Sequence, residues 1–144
     1  MAGDRKDPFH GYNFLVEIDG VTKAGFREAS GLDTGQDPVE YRNGDEKQLT
    51  ARKLPGLIKY SNISLKRGIT DDKDLWDWRK KVMDGKVERK NVSIVLLSDD
   101  CQEKLRWNMR EAWPSKWQGP SFNATSNDIA IESLEFVHEG LVKA

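Results

Sequence analysis

The apolar positions of this chain fall largely on alternate residues. Tyr12, Phe14, Val16 and Ile18 alternate with Asn13, Glu17 and Asp19, the period of a half-buried strand, with Leu15 placing one apolar side chain on the other face. Asp19-Gly20 supplies the positive-φ pair of a tight hairpin, which predicts that Val21 to Ser30 returns antiparallel. From Asp33 to Pro55 the chain turns polar, with Gly35, Pro38, Asn43-Gly44 and the run Asp45-Glu46-Lys47, leaving Val39, Tyr41, Leu49 and Leu54 to bury. So few anchors cannot hold this stretch against its own domain, so residues 33–56 are expected to protrude as a hairpin or long loop. Ile58 to Arg67 reads as strand, with Ile63 and Leu65 on one face, Ser64 and Lys66 on the other, and Gly68 ending it.

The period then changes. Thr70 or Asp71 is the expected N-cap of one helix over residues 71–84, with Asp72 and Asp74 at its positive end and Gly85 in the position that closes it. At 100° per residue Leu75, Trp78 and Val82 form a core stripe, while Trp76 and Met83 lie together on its flank. That second strip is expected to face a partner. Val92 to Leu97 is apolar on both faces, as in a central strand. Asp99-Asp100 begins a turn, and from Glu103 to Trp113 Leu105, Trp107 and Met109 alternate with Lys104, Arg106, Asn108 and Arg110, a face that is wet or paired with acids. In the last strand Ile129 and Ile131 share one parity, Leu134 and Phe136 the other. A bulge near Glu132-Ser133 is expected to reconcile them.

These elements amount to a mainly β chain, an antiparallel β-sandwich or open barrel of about seven strands with one packed helix. The 144 residues suit one domain, spanning 1–144, with 1–11 as an N-terminal arm. An open sheet leaves edges that need blunting or pairing. Charge changes the picture mainly by its balance: 23 basic against 24 acidic side chains give no long-range field toward nucleic acid or an anionic membrane. The charged share, 33%, is high enough to demand extensive wet surface, which a hollow assembly with two solvated faces provides. Cys101 is alone and forms no internal disulfide, Met1 to Asp7 is polar with no apolar run behind it, and neither a secretory signal nor a membrane anchor is expected.

Catalytic chemistry finds little to build on. The two histidines, His10 and His138, lie near opposite ends of the chain, and neither has an orienting third group in sequence. A Cys101–His138 dyad has no supporting motif. Asp71, Asp72 and Asp74 lack the glycine and distal glutamate of a calcium loop, and read as helix capping. Trp107, Trp113 and Trp117 beside Lys104, Arg106, Arg110 and Lys116 could form a stacking platform for single-stranded nucleic acid, but alternation puts Trp107 opposite Arg106 and favours core packing. No catalytic, cofactor or metal residue is assigned, and no cofactor is expected.

The segments Lys53-Leu54-Pro55-Gly56-Leu57, Asn62-Ile63-Ser64-Leu65-Lys66-Arg67-Gly68, Ala112-Trp113-Pro114-Ser115-Lys116-Trp117-Gln118-Gly119-Pro120 and Ile129 to Leu141 together resemble the tail tube proteins of contractile phage tails and related contractile injection systems. The pieces keep the family's order from Asp7-Pro8-Phe9 to Gly140-Leu141. The resemblance implies an inner-tube subunit, not an enzyme. Six copies would form a ring whose sheets join into one barrel, and the rings would stack into a tube with sheath and baseplate proteins as partners and cargo protein or DNA in the lumen. Synthesis in the cytoplasm and assembly into a particle are implied. Positions matching its inter-ring elements are Phe9 in the arm Asp7 to Gly11, Val39, Glu40, Tyr41, Arg42, Asn43 and Gly44, and Leu54, Pro55 and Gly56. Trp76 and Met83 are the candidates for a neighbouring subunit or sheath. A tube-initiator paralogue at the baseplate and a monomeric β-sandwich that holds peptide or nucleic acid are the competing readings.

Overall fold

The computed structural model describes residues 7–23 and 25–144; residues 1–6 of the expected N-terminal arm, and Ala24 in the expected return strand, lie outside the described residues. Strand β1 (Phe14–Ile18) turns through Asp19 and Gly20, at φ 52° and 77°, into β2 (Val21–Lys23). Two successive positive φ values match the twist of the paired strands, so Asp-Gly fits this corner. The return strand is shorter than the sequence reading. Gly25, at φ 86°, turns the chain away, and β3 (Phe26–Ser30) pairs with a different strand.

Among the described residues the next two strands, β4 (Thr34–Tyr41) and β5 (Arg52–Tyr60), pair only with each other. Then β6 (Ile63–Gly68) precedes α1 (Asp74–Met83), β7 (Lys90–Leu97), β8 (Glu103–Gln118), β9 (Ile131–Val137) and β10 (Gly140–Lys143). Seven strands run in the order β2-β1-β7-β8-β9-β6-β3, with β10 beside β8. Neighbours are antiparallel throughout. Ile58 to Tyr60 belong to β5 and not to the strand that follows, because the chain breaks at Ser61-Asn62. There Gly31, at φ 99°, packs so closely that a Cβ would lie 2.0 Å from the Asn62 carbonyl oxygen. This crossing is the root of the β4–β5 arm.

Strand β8 serves both halves of the sheet. Its first part pairs with β7 on one edge and β10 on the other; beyond Trp113 it pairs with β9. The change comes at an irregularity that includes Glu111, a non-glycine residue at φ 54°, a backbone state that costs about 1–2 kcal/mol. The bend brings Val16, Ile94 and Met109 of one half against Ile63, Leu65, Leu134 and Phe136 of the other, all in one core.

The helix starts three residues later than its acidic residues suggest. Lys73 occupies the N-cap position without a side-chain cap, Thr70 Oγ1 accepts from the Asp72 amide, and Asp74 is held by Arg67. At the other end the Gly85 amide donates to Val82 and the Lys86 amide to Lys81, the paired closure that glycine at φ 86° permits. Leu75 and Trp78 are buried as the stripe requires, and Val82 is half-buried. Among the described residues no helix is long and apolar enough to cross a membrane.

The expected bulge in the last strand is absent. The buried face of β9 runs without interruption through Glu132, Leu134 and Phe136; Ile129 precedes the strand and is exposed. What breaks the apolar parity is a buried carboxylate. Glu132 Oε1 accepts from Arg67 Nε at 2.5 Å, Oε2 accepts from Trp117 Nε1 at 3.1 Å, and Arg67 Nη2 donates to Asp74 at 2.7 Å. The Arg67 guanidinium also lies 5.6 Å from the Phe26 ring centroid. Burial opposes the charge on Arg67, but the hydrogen bonds to Glu132 and Asp74 hold its pKa above the ordinary arginine value. On the other face of β8, Arg106 pairs with Glu17 at 2.7 Å and with Glu103 at 2.6 Å.

Removing one partner of a buried pair strands the other charge. Glu132→Ala should cost about 3–5 kcal/mol in urea unfolding, whereas Arg67→Met with Glu132→Leu should be far milder. Equal losses for the single and double replacements would refute the charge-stranding account.

Candidate functional site

The most prominent surface feature is the β4–β5 arm. All eight residues of β4 are exposed, as are most of β5. Register pairs Val39 with Leu54 and Tyr41 with Arg52 on one face, and Glu40 with Lys53 and Pro38 with Pro55 on the other. Val39, Tyr41 and Leu54 thus make a small apolar strip on one side, each about half exposed. Gly56 has a local reason for being glycine: a Cβ there would sit 2.4 Å from the Asp37 carbonyl oxygen, at the irregularity between Gln36 and Pro38. Gln36 Nε2 donates to the Gly56 oxygen at 2.7 Å, and Lys59 pairs with Asp37.

The tip is ordered by Arg42, whose guanidinium donates to the carbonyls of Gln48 at 2.9 Å and Glu46 at 2.8 Å. Tyr41 donates its hydroxyl to Asn43, and Arg52 pairs with Glu46 at 2.9 Å. Of the sequence candidates, Val39 to Gly44 and Leu54 to Gly56 come together here. Phe9 does not belong to the arm; it lies in the exposed stretch before β1, near where Tyr12 donates to Asp99 at 2.5 Å.

Trp76 and Met83 are exposed on the outer side of α1. Trp76 is not free, since its ring meets Trp117 nearly edge-on, centroids 4.9 Å apart. Sequence reasoning missed several exposed apolar side chains: Leu57 and Ile58 on the arm, Phe122 and Ile129 in the segment before β9. Ile58 was hidden by its assignment to the following strand, and Ile129 by its apparent parity with Ile131.

The chemical decoys separate in space. Cys101 is exposed at the β7–β8 turn, whereas His138 lies beside Gly140, which pairs with Arg110. At about 3.3 Å per strand residue, Cys101 and Arg110 are roughly 30 Å apart along β8. Trp107 and Trp117 pack on the core and Trp113 lies on the opposite face, with Val137. Among the described residues no group of three or more histidine, cysteine or acidic residues could hold a metal ion. His138 stands in a packed environment, its ring 5.3 Å from that of Tyr60 and both nitrogens buried. Burial holds the imidazole below its ordinary 6.5, against a weaker pull from the Gly140 and Ser61 backbone.

Two expectations follow. Trp78→Ala should cost about 3–5 kcal/mol, and Trp76→Ala, which forfeits mainly the Trp117 contact, about 1 kcal/mol; thermal melts of both variants test the difference, and equal losses would place both rings in the core. Because the unfolded chain protonates His138 more readily than the folded one, this residue's contribution is complete above pH 6.5 and is lost as pH falls below it. His138→Phe should therefore flatten the decline in melting temperature between neutral and mildly acidic pH.

The family model described as T4-like virus tail tube protein gp19 matches residues 10–142. A chain of the sheath–tube complex of an extracellular contractile injection system, PVC, in the extended state is 32% identical, with TM-score 0.86 over 95% of this chain and 91% of that one. A chain of the anti-feeding prophage cap, the AFP tube terminating cap, is 30% identical, with TM-score 0.88 over 97% and 93%. Hcp1 from Flavobacterium johnsoniae, at 15% identity and TM-score 0.55 over 90% and 93%, shares the fold. No match was found among curated proteins. An arm built to project, an antiparallel sheet with open edges and a family match across nearly the whole chain lead to one conclusion: this chain belongs to the T4-like virus tail tube protein family.

Proposed function

We propose that the chain is the inner-tube subunit of a contractile particle, six copies closing a ring and rings stacking into a tube that conducts cargo. The observation that carries this reading is the β4–β5 arm, a two-stranded ribbon exposed along its length. An isolated ribbon is marginal in water. Contacts with another ring through Val39, Tyr41 and Leu54 would offset the entropy of ordering it. Phe9, Glu40, Arg42, Asn43, Gly44, Pro55 and Gly56 complete the stacking surface.

Ring closure uses the sheet edges. In the β8-β9-β6-β3 half, β3 has one strand partner, and β8 beyond Trp113 has none on its β7 side among the described residues. Joining the β3 edge of one copy to that β8 edge of the next is a head-to-tail contact, the kind that closes a ring when its rotation permits. Trp76 and Met83 face outward for the sheath. A main-tube role is favoured over a baseplate initiator because identity to the PVC sheath–tube chain, 32%, exceeds that to an anti-feeding prophage baseplate chain, 23%. The role is structural and not catalytic, and the subunit is made in the cytoplasm before assembly.

Mass photometry of the purified chain should show a species near six masses of 16.4 kDa, and negative-stain images should show tubes. Excising Val39 to Leu54 and closing the gap with a short turn should leave the melting temperature nearly unchanged and abolish stacking. Monomers under all conditions would overturn the ring reading, and long tubes from the excised variant would overturn the role of the arm.

A further inference from the structure

Asn43-Gly44, at the tip of the arm, is the one asparagine–glycine pair in the chain; every other asparagine precedes a residue with a side chain. An asparagine carries its own electrophile, the amide carbon Cγ, within reach of the next residue's backbone nitrogen, because attack closes a five-membered ring. The following side chain is what obstructs that approach, and glycine has none. Holding nucleophile and electrophile together in this way removes a large part of a reaction's barrier.

The local structure supplies three further conditions. The Glu46 amide donates to the Asn43 carbonyl at 3.2 Å, closing a turn that uses its last donor and leaves the Gly44 N–H without an acceptor among the described residues. By contrast, at Asp84-Gly85 the glycine amide is spent on the Val82 carbonyl at 3.0 Å. Second, the Tyr41 hydroxyl donates to Asn43 Oδ1, the atom on which negative charge gathers as Cγ is attacked. Arg42 keeps that geometry by holding the tip through the Gln48 and Glu46 carbonyls. Third, Tyr41 to Asp45 are all exposed, so water and hydroxide reach the pair.

We propose that Asn43 is a site of self-modification, at which Tyr41 promotes ring closure with the Gly44 nitrogen, and that the product disables the arm tip for docking. Hydroxide takes the Gly44 amide proton, the nitrogen forms a bond to Cγ, and the carbonyl electron pair moves onto Oδ1 under the Tyr41 hydrogen bond. Collapse of that oxyanion breaks the Cγ–Nδ2 bond, and the departing nitrogen takes a proton from water to leave as ammonia, which regenerates hydroxide. Water then opens the cyclic imide. Opening at Cγ gives aspartate; opening at the Asn43 backbone carbonyl gives isoaspartate, with the main chain rerouted through the side chain. Either product sets a new carboxylate beside Asp45 and Glu46, and isoaspartate also lengthens the turn by one backbone atom. The chemistry belongs to the free subunit. Its consequence rests on the stacking reading: a tip with added like charge and a broken turn no longer fits the surface that the unmodified arm meets.

The test follows the purified chain at mildly alkaline pH by peptide mapping with mass spectrometry. Asn43 should convert about tenfold or more faster than Asn123 and Asn127, which are equally exposed, and the rate should rise with pH. Gly44→Ala should slow it about tenfold with the melting temperature nearly unchanged, since Gly44 has no positive φ and a Cβ there meets nothing within 4 Å. An oxyanion donor in a dry site is worth about a hundredfold or more; Tyr41 is half exposed, so Tyr41→Phe should slow conversion several-fold. In urea the Tyr41→Phe variant and its parent should react alike. Conversion of Asn43 no faster than that of Asn123 would overturn the site, and an unchanged or faster rate in folded Tyr41→Phe would overturn the role of Tyr41. For the consequence, Asn43→Asp should give several-fold less tube than Asn43→Gln. Equal yields would overturn the effect on docking and leave the chemistry standing, whereas no tubes from freshly purified parent would overturn the tube reading instead.

Discussion

One buried carboxylate sets the arrangement of half this molecule. Glu132 is 3% exposed, and both of its oxygens are taken, one by Arg67 and the other by Trp117. Removing a charge from water is tolerable only when geometry and hydrogen bonding are nearly complete, so partners on four other elements are fixed by it. Arg67 opposite Glu132 defines the β6–β9 register; a slip of one residue would turn the guanidinium to the solvent face and leave the acid unpaired. Through Asp74 the same guanidinium anchors the first turn of α1, through Trp117 the acid ties down β8, and Phe26 of β3 lies against the cation. An apolar core alone would hold these pieces together with less say over their alignment.

That interaction also explains where the amino-acid sequence misleads. Apolar periodicity reads a buried glutamate as a solvent position, so a continuous strand looks like two strands out of phase. The elements ruled by local chemistry are legible: the Asp19-Gly20 corner, the doubly apolar β7, the Leu75-Trp78 stripe and the glycine closure at Gly85. The illegible ones are decided by groups remote in sequence. The break at Ser61-Asn62 exists because Gly31 crosses there, β3 leaves its expected partner at Gly25, and the helix starts late because Arg67 claims Asp74. The proposed assembly surface divides the same way. Too few apolar anchors between 33 and 56 announce a projecting element, but pairing decides which of its residues share a face, and Trp76 cannot be seen in sequence to rest on Trp117.

The body and the arm follow different rules. In the body Phe136, Ile63, Leu65 and Leu134 are fully buried, and polar groups earn their place by pairing. In the arm the side chains remain in water, and order comes from backbone pairing, the Gly56 approach to Asp37 and the Arg42 contacts at the tip. A domain that folds on its core can therefore change its arm without endangering its fold.

The bend at Glu111 has a mechanical meaning. Because β8 is one covalent strand laddered into both halves of the sheet, a push delivered to one half reaches the other through backbone bonds rather than by sliding side chains over one another. The flanking ladders meet such a load along the strand direction, so their hydrogen bonds share it instead of opening one at a time from an end. A single strained residue thus gives the strand a corner without a joint.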